Sequence, residues 1–81
     1  MRNKLLDKFG NLVRSARIAR KLSQEELAFE LGFHRNYIGM IERGERNISF
    51  SKAVILIQYL NIDLRDLYDD GIISRTAGNE S

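Results

Sequence analysis

Leu5, Phe9, Leu12, Val13 and Ala16 recur at three- and four-residue intervals, the spacing that lines apolar side chains along one helical face. This predicts an amphipathic first helix from about Lys4 to Lys21. Ser23 followed by Glu26 has the S-x-x-E pattern of a capping box, so a second helix is expected to begin near Gln24. Gly32, just after Leu31, suits the left-handed residue that ends such a helix. A third is expected from about Arg35 to Arg43, with Gly44 as its stop. Ser49 or Ser51 can cap a fourth that ends near Leu60. Its AVILI core carries the β-branched residues of a strand. Yet Phe50, Val54, Ile57 and Leu60 fall on one helical face, and helix is the expectation. Ile55 and Leu56 then point elsewhere, which predicts burial on more than one side, within the monomer or under a partner subunit. Asp63 caps a fifth helix, with Leu64, Leu67 and Tyr68 along its apolar edge.

After Gly71 the chain turns polar and small, ISRTAGNES, and reads as a frayed tail. The expected organisation is all-α: a compact five-helix domain over residues 1–72 and a polar flexible tail over 73–81. No internal repeat or linker interrupts it. At 81 residues the chain is near the lower end of what buries a core without staples. Cysteine is absent, which excludes disulfides, thiolate metal sites and cysteine nucleophiles. Proline is absent too, in keeping with uninterrupted helices and short turns. The longest apolar run, Ala53 to Ile57, is far too short to span a membrane, and the first residues lack a signal peptide's apolar stretch. A soluble, cytoplasmic protein is expected.

Catalysis finds no footing. A single histidine and serines at helix caps supply no nucleophile, base and orienting group. Asp63, Asp66, Asp69 and Asp70 lack the alternating spacing of a calcium loop, and helix capping accounts for them better. No metal, cofactor or small-molecule substrate is therefore expected. Asn47-Ile48-Ser49 is formally a glycosylation triplet, set aside because no secretion signal precedes it.

Charge is informative through its distribution. Residues 1–22 hold seven Lys/Arg against one Asp, whereas residues 23–81 hold six against ten acids. A basic front and an acidic rear suit one face that meets a polyanion, although a solvated surface would show the same split. The second and third helices, joined by a glycine-bearing turn, have the geometry of a helix-turn-helix. Ala28 permits close crossing, Leu27 and Leu31 anchor one helix, and Ile38 and Ile41 anchor the other. The outward face of the third helix then begins with Arg35, Asn36 and Gly39. Arg can bind guanine O6/N7 bidentately and Asn can bind adenine N6/N7, so this turn could enter a DNA major groove. Solvated residues at a helix start would look the same. Context favours DNA: Gln24 opens the second helix, and Arg43, Arg46 and Asn47 follow the third, placed to clamp phosphates.

The run LSQEELAFELGFHRNYIGMIERGERNIS, Leu22 to Ser49, resembles the Xre/Cro-type helix-turn-helix regulators. HRNYI followed by IERGERNIS is similar to the controller proteins of bacterial restriction–modification systems. The likeness extends from Phe9 to Leu67. It implies a lambda-repressor-like fold and a small homodimer on double-stranded DNA that sets the transcription of restriction genes. By the same resemblance, Arg17 and Glu42 match a structural ion pair, with Arg17 also near phosphate. Arg35, Asn36 and Tyr37 match base-facing or groove-edge positions. Gln24 matches a DNA contact, and Arg43, Arg46 and Asn47 match backbone or central-operator contacts, Arg46 being placed with the base readers. His34 and Gly39 depart from the pattern, as a cap where relatives have Ser or Asp and as a helix-weakening residue costing roughly 1 kcal/mol relative to Ala. Both are carried as positioning candidates. Surplus apolar residues Ile55, Tyr59, Leu67, Ile72 and Ile73 are the expected dimer surface. RNA polymerase is a further expected partner through Glu25, Glu26 and Glu30, which a solvated helix face explains equally well. Two other readings stay open: an autoregulating antitoxin or phage-type repressor, and a protein-interaction adaptor without DNA binding.

Overall fold

The computed structural model describes residues 3–67. Four α-helices follow one another in this span: α1, Lys4–Ala19; α2, Gln24–Leu31; α3, Arg35–Glu42; and α4, Phe50–Leu60. Each starts on a polar side chain that satisfies an otherwise unpaired backbone N–H. Asn3 accepts from the N–H groups of Leu5 and Leu6, and Ser49 from that of Lys52. Ser23 and Glu26 close the reciprocal capping box on α2. Gly32 (φ 71°) and Gly44 (φ 70°) adopt the left-handed conformation that ends α2 and turns the chain after α3. The end of α1 uses no glycine: Lys21 takes φ 60°, and the Leu22 N–H returns to the Arg17 carbonyl at 3.2 Å.

Phe9 and Val13 of α1, Leu27 and Ala28 of α2, Ile38 and Ile41 of α3, and Leu56 and Leu60 of α4 form the buried core. α3 packs against both α1 and α2, and α4 lies against α1. Two expectations change here. The core face of α4 is Ala53, Leu56, Ile57 and Leu60, while Phe50 stands 85% exposed. The apolar residues of α4 permit two helical registers, and packing against α1 selects the one that carries Leu56 inward.

The fifth helix is, within the described residues, a single 3-10 turn, Leu64–Leu67. Its Asp66 N–H closes on the Asp63 carbonyl three residues back, giving the tighter turn instead of an α-helical bond. Leu64 is exposed, Leu67 packs against the core, and Tyr68 lies outside the described residues. So does the expected tail, 73–81. Hydrogen bonds from the Arg65 side chain, then from its backbone N–H, hold the Asp63 carboxyl below its ordinary range. A lowered folded-state pKa supports the turn above the normal carboxylate range, and the support fades as pH falls through the lowered value.

Gly10 sets how closely α1 and α3 cross. A Cβ there would overlap the Ile41 carbonyl oxygen and lie 2.7 Å from that of Glu42, both rigid backbone atoms. Gly10→Ala should therefore lower stability by about 1–3 kcal/mol in urea unfolding, despite alanine's better helix propensity. An unchanged or raised midpoint would contradict so close a crossing.

Candidate nucleic-acid interface

α3 is fixed to the rest of the chain at its end by charge. Arg17 and Glu42 are only 9% and 7% exposed. Arg17 donates from Nε to Glu42 Oε2 at 2.6 Å and from Nη2 to Oε1 at 3.1 Å. Its Nη1 donates to the Leu22 carbonyl at 2.7 Å, and Gln24 Nε2 donates to Glu42 Oε1 at 3.0 Å. This network ties the last turn of α1, the turn into α2 and the start of α2 to the last residue of α3. Among the described residues no buried side-chain nitrogen or oxygen lacks a partner. Such satisfaction matters, because a buried charge is tolerated only when paired and hydrogen-bonded. The Arg17 guanidinium is thereby turned inward.

At its other end α3 begins on His34, whose Nδ1 accepts the Asn36 N–H at 3.2 Å. Arg35 and Asn36 are exposed, and Arg35 makes one loose contact, 3.5 Å, with Glu25 of α2. Asn36 and Met40 form a ridge with a cleft on either side. The first cleft, about 360 Å³, is lined by Gln24, Arg35, Gly39, Arg43 and Glu45 together with the ridge. Arg43 Nε donates to Glu45 Oε2 at 2.9 Å, and that carboxylate raises Arg43 above the already high guanidinium value. Arg43 is a permanent cation. A Cβ at Gly39 would lie 3.1 Å from Arg43 Nη1 and 3.4 Å from Gln24 Oε1, so the missing side chain leaves room for both groups over the helix.

The second cleft, about 420 Å³, is lined by Gly32, Phe33, His34, Tyr37, Arg46 and Lys52 together with the ridge. Tyr37 is half-buried, edge-on to Phe33 with ring centroids 5.6 Å apart. Arg46 lies 5.6 Å and Lys52 4.9 Å from the Tyr37 centroid. Arg35, Asn36, Gln24, His34, Arg43, Tyr37 and Arg46 thus share one surface, and Asn47 is exposed in the connection to α4. Gly39, expected on the outward face, is instead buried beneath Arg43 and Gln24. Sequence reasoning missed Lys52, Phe33 and Glu45. A lysine in the first turn of α4, where the helix dipole disfavours a cation, was the available signal for Lys52.

The expected dimer residues that the structure describes are Ile55, Tyr59 and Leu67. Ile55 is 41% exposed on α4. Tyr59 is already engaged, its hydroxyl 3.5 Å from Glu30 and its ring beneath Arg20. Leu67 lines an apolar cleft with Leu5, Leu6, Phe9, Ile48, Ala53 and Ile57. Ile72 and Ile73 lie outside the described residues.

Residues 13–67 match the family described as helix-turn-helix. Over 70 residues the chain is 41% identical to the control protein C.BamHI of Bacillus amyloliquefaciens, covering 85% of this chain and 86% of that one. It is 49% identical over 55 residues to C.SmaI of Serratia marcescens, covering 68% and 66%. The chain belongs to the helix-turn-helix controller proteins of restriction–modification systems. Solved controller proteins share its fold. C.AhdI from Aeromonas hydrophila aligns with a TM-score of 0.67 at 46% identity, over 78% of this chain and 96% of that one. The C.Esp1396I tetramer bound to its natural 35 base-pair operator aligns with a TM-score of 0.69 at 25% identity, over 83% and 88%.

For this controller protein, Glu42→Ala would leave Arg17 buried without its carboxylate. The expected cost is about 3–5 kcal/mol in equilibrium urea unfolding. A loss below about 1 kcal/mol, the range of a surface pair, would show that the network does not hold α3 in place.

Proposed function

We propose that this protein is a sequence-specific DNA-binding transcription regulator that acts as a homodimer and controls restriction–modification genes. The observation that carries the reading is the exposed first turn of α3, where Arg35 and Asn36 stand free of the core while Ile38 and Ile41 anchor the helix behind them. A helix so mounted can enter the major groove, with Arg35 offered to guanine and Asn36 to adenine. Gln24, Arg43, Arg46 and Asn47 supply contacts to the backbone on either side. The relatives, named as control proteins, favour this reading over an antitoxin or phage repressor. The presented base-edge donors favour it over a protein adaptor.

Two protomers related by a two-fold axis require a near-palindromic operator, with half-site centres roughly 34 Å apart. Ile55 and Leu67 are the described residues that fit the contact between protomers, and Arg17 serves position rather than phosphate. A regulator of this kind works in the cytoplasm, at the nucleoid when bound, and performs no catalysis. Exposed Glu25, Glu26 and Glu30 on α2 are the candidates for touching RNA polymerase beside the operator.

Arg35→Ala should weaken operator binding by on the order of 1–3 kcal/mol and relax preference at one base position. Arg43→Ala should weaken cognate and scrambled duplexes alike. Fluorescence anisotropy over a panel of single-base operator variants separates the two effects, and uniform losses for both variants would refute the division into base reader and phosphate clamp.

A further inference from the structure

Arg46 and Lys52 bear like charges, yet both approach the ring of Tyr37, at 5.6 and 4.9 Å from its centroid. Lys52 also lies 5.9 Å from the Phe33 centroid. The negative ring faces attract each cation but do not neutralise it. The basic groups beside the first cleft differ: Arg35 contacts Glu25 and Arg43 contacts Glu45, whereas neither Arg46 nor Lys52 forms an ion pair among the described residues. Lys52 further sits in the first turn of α4, where the helix dipole opposes a positive charge. Repulsion between the two cations and repulsion from the dipole would both be relieved by one anion in the open cleft below Asn36.

We infer that Arg46 and Lys52, gathered over the Tyr37 ring, seat a DNA backbone phosphate on the flank of the ridge opposite Gln24 and Arg43. The inference rests on the DNA-binding reading and adds a contact residue, Lys52, to it. It also changes the task of Tyr37, from a reader of base edges to an aromatic platform that positions two cations. With a phosphate held in each cleft, the ridge of Asn36 and Met40 is centred between the two strands, and its depth in the groove is set from both sides.

Salt-dependent binding tests this. The probes are a duplex selected from a random pool by the unaltered protein and a scrambled duplex of equal length. Each phosphate contact contributes about 0.9 to the slope of log affinity against log salt. Lys52→Gln should reduce the slope by about 0.9 per protomer and weaken both duplexes on the order of five- to tenfold near 0.1 M salt. Lys52→Arg should recover both values, with thermal unfolding unchanged in either variant. Arg65→Gln removes the same charge from the 3-10 turn and should leave the slope as it was. An unaltered slope in Lys52→Gln overturns the inference. So does a loss confined to the selected duplex, which would make Lys52 a base reader, or an equal loss in Arg65→Gln, which would reduce the effect to net charge. Those results are all measured against an unaltered protein that binds. Failure of the unaltered protein to bind any duplex would instead sink the DNA-binding reading, and this inference with it.

Discussion

The buried pair of Arg17 and Glu42 is the constraint on which the interface depends. It joins residues 25 positions apart, and through Leu22 and Gln24 it also fixes the turn that precedes α2. Its net contribution to stability need not be large, because desolvating two charges offsets much of their attraction. What it supplies is geometry. A hydrophobic pair could fill the same space, yet it would not aim Gln24 at the edge of α3. The close crossing at Gly10 works with it, since the backbone of α1 must come near Glu42 before a side chain as short as glutamate can meet Arg17.

With α3 held in this way, the remaining chemistry is arranged around a ridge. One flank carries cations already in contact with carboxylates, Arg35 with Glu25 and Arg43 with Glu45. The other carries Arg46 and Lys52 on aromatic faces. These flanks respond differently to an approaching polyanion. On the proposed reading Arg35 would exchange its loose contact with Glu25 for a base edge, an exchange that a wrong base repays less well, whereas Arg43 would exchange Glu45 for backbone phosphate whatever the sequence. Among the described residues neither Arg46 nor Lys52 has a carboxylate partner, so the proposed phosphate contact there would give up no ion pair.

The helix-turn-helix itself was legible in the sequence because its signals are local. Ser23 and Glu26 form the capping box they spell, Gly32 is left-handed, and Ile38 and Ile41 face inward. The register of α4 was not legible, since Phe50 and Leu56 compete for the core and only the position of α1 decides between them. Gly10 passed without notice because its role depends on α3, some thirty residues later. A glycine on the apolar face of a helix, where it weakens the helix, was the clue. Lys52 escaped for a similar reason: its platform comes from Phe33 and Tyr37, on another element. Tyr59 reads in the sequence as surplus apolar surface, and its contacts with Glu30 and Arg20 come from other elements. In each case the missing information was tertiary, and only for Gly10 and Lys52 did the sequence carry a local oddity that pointed to it.

On the proposed function α3, presented twice by a symmetric dimer, reads a defined operator. Selection of random duplexes by the purified protein, followed by sequencing of the bound pool, tests it most directly. The expected result is an enriched inverted repeat whose half-sites lie about one helical turn apart. A folded, dimeric protein that enriches no sequence at low salt would contradict it, leaving Arg35 and Asn36 without bases to read.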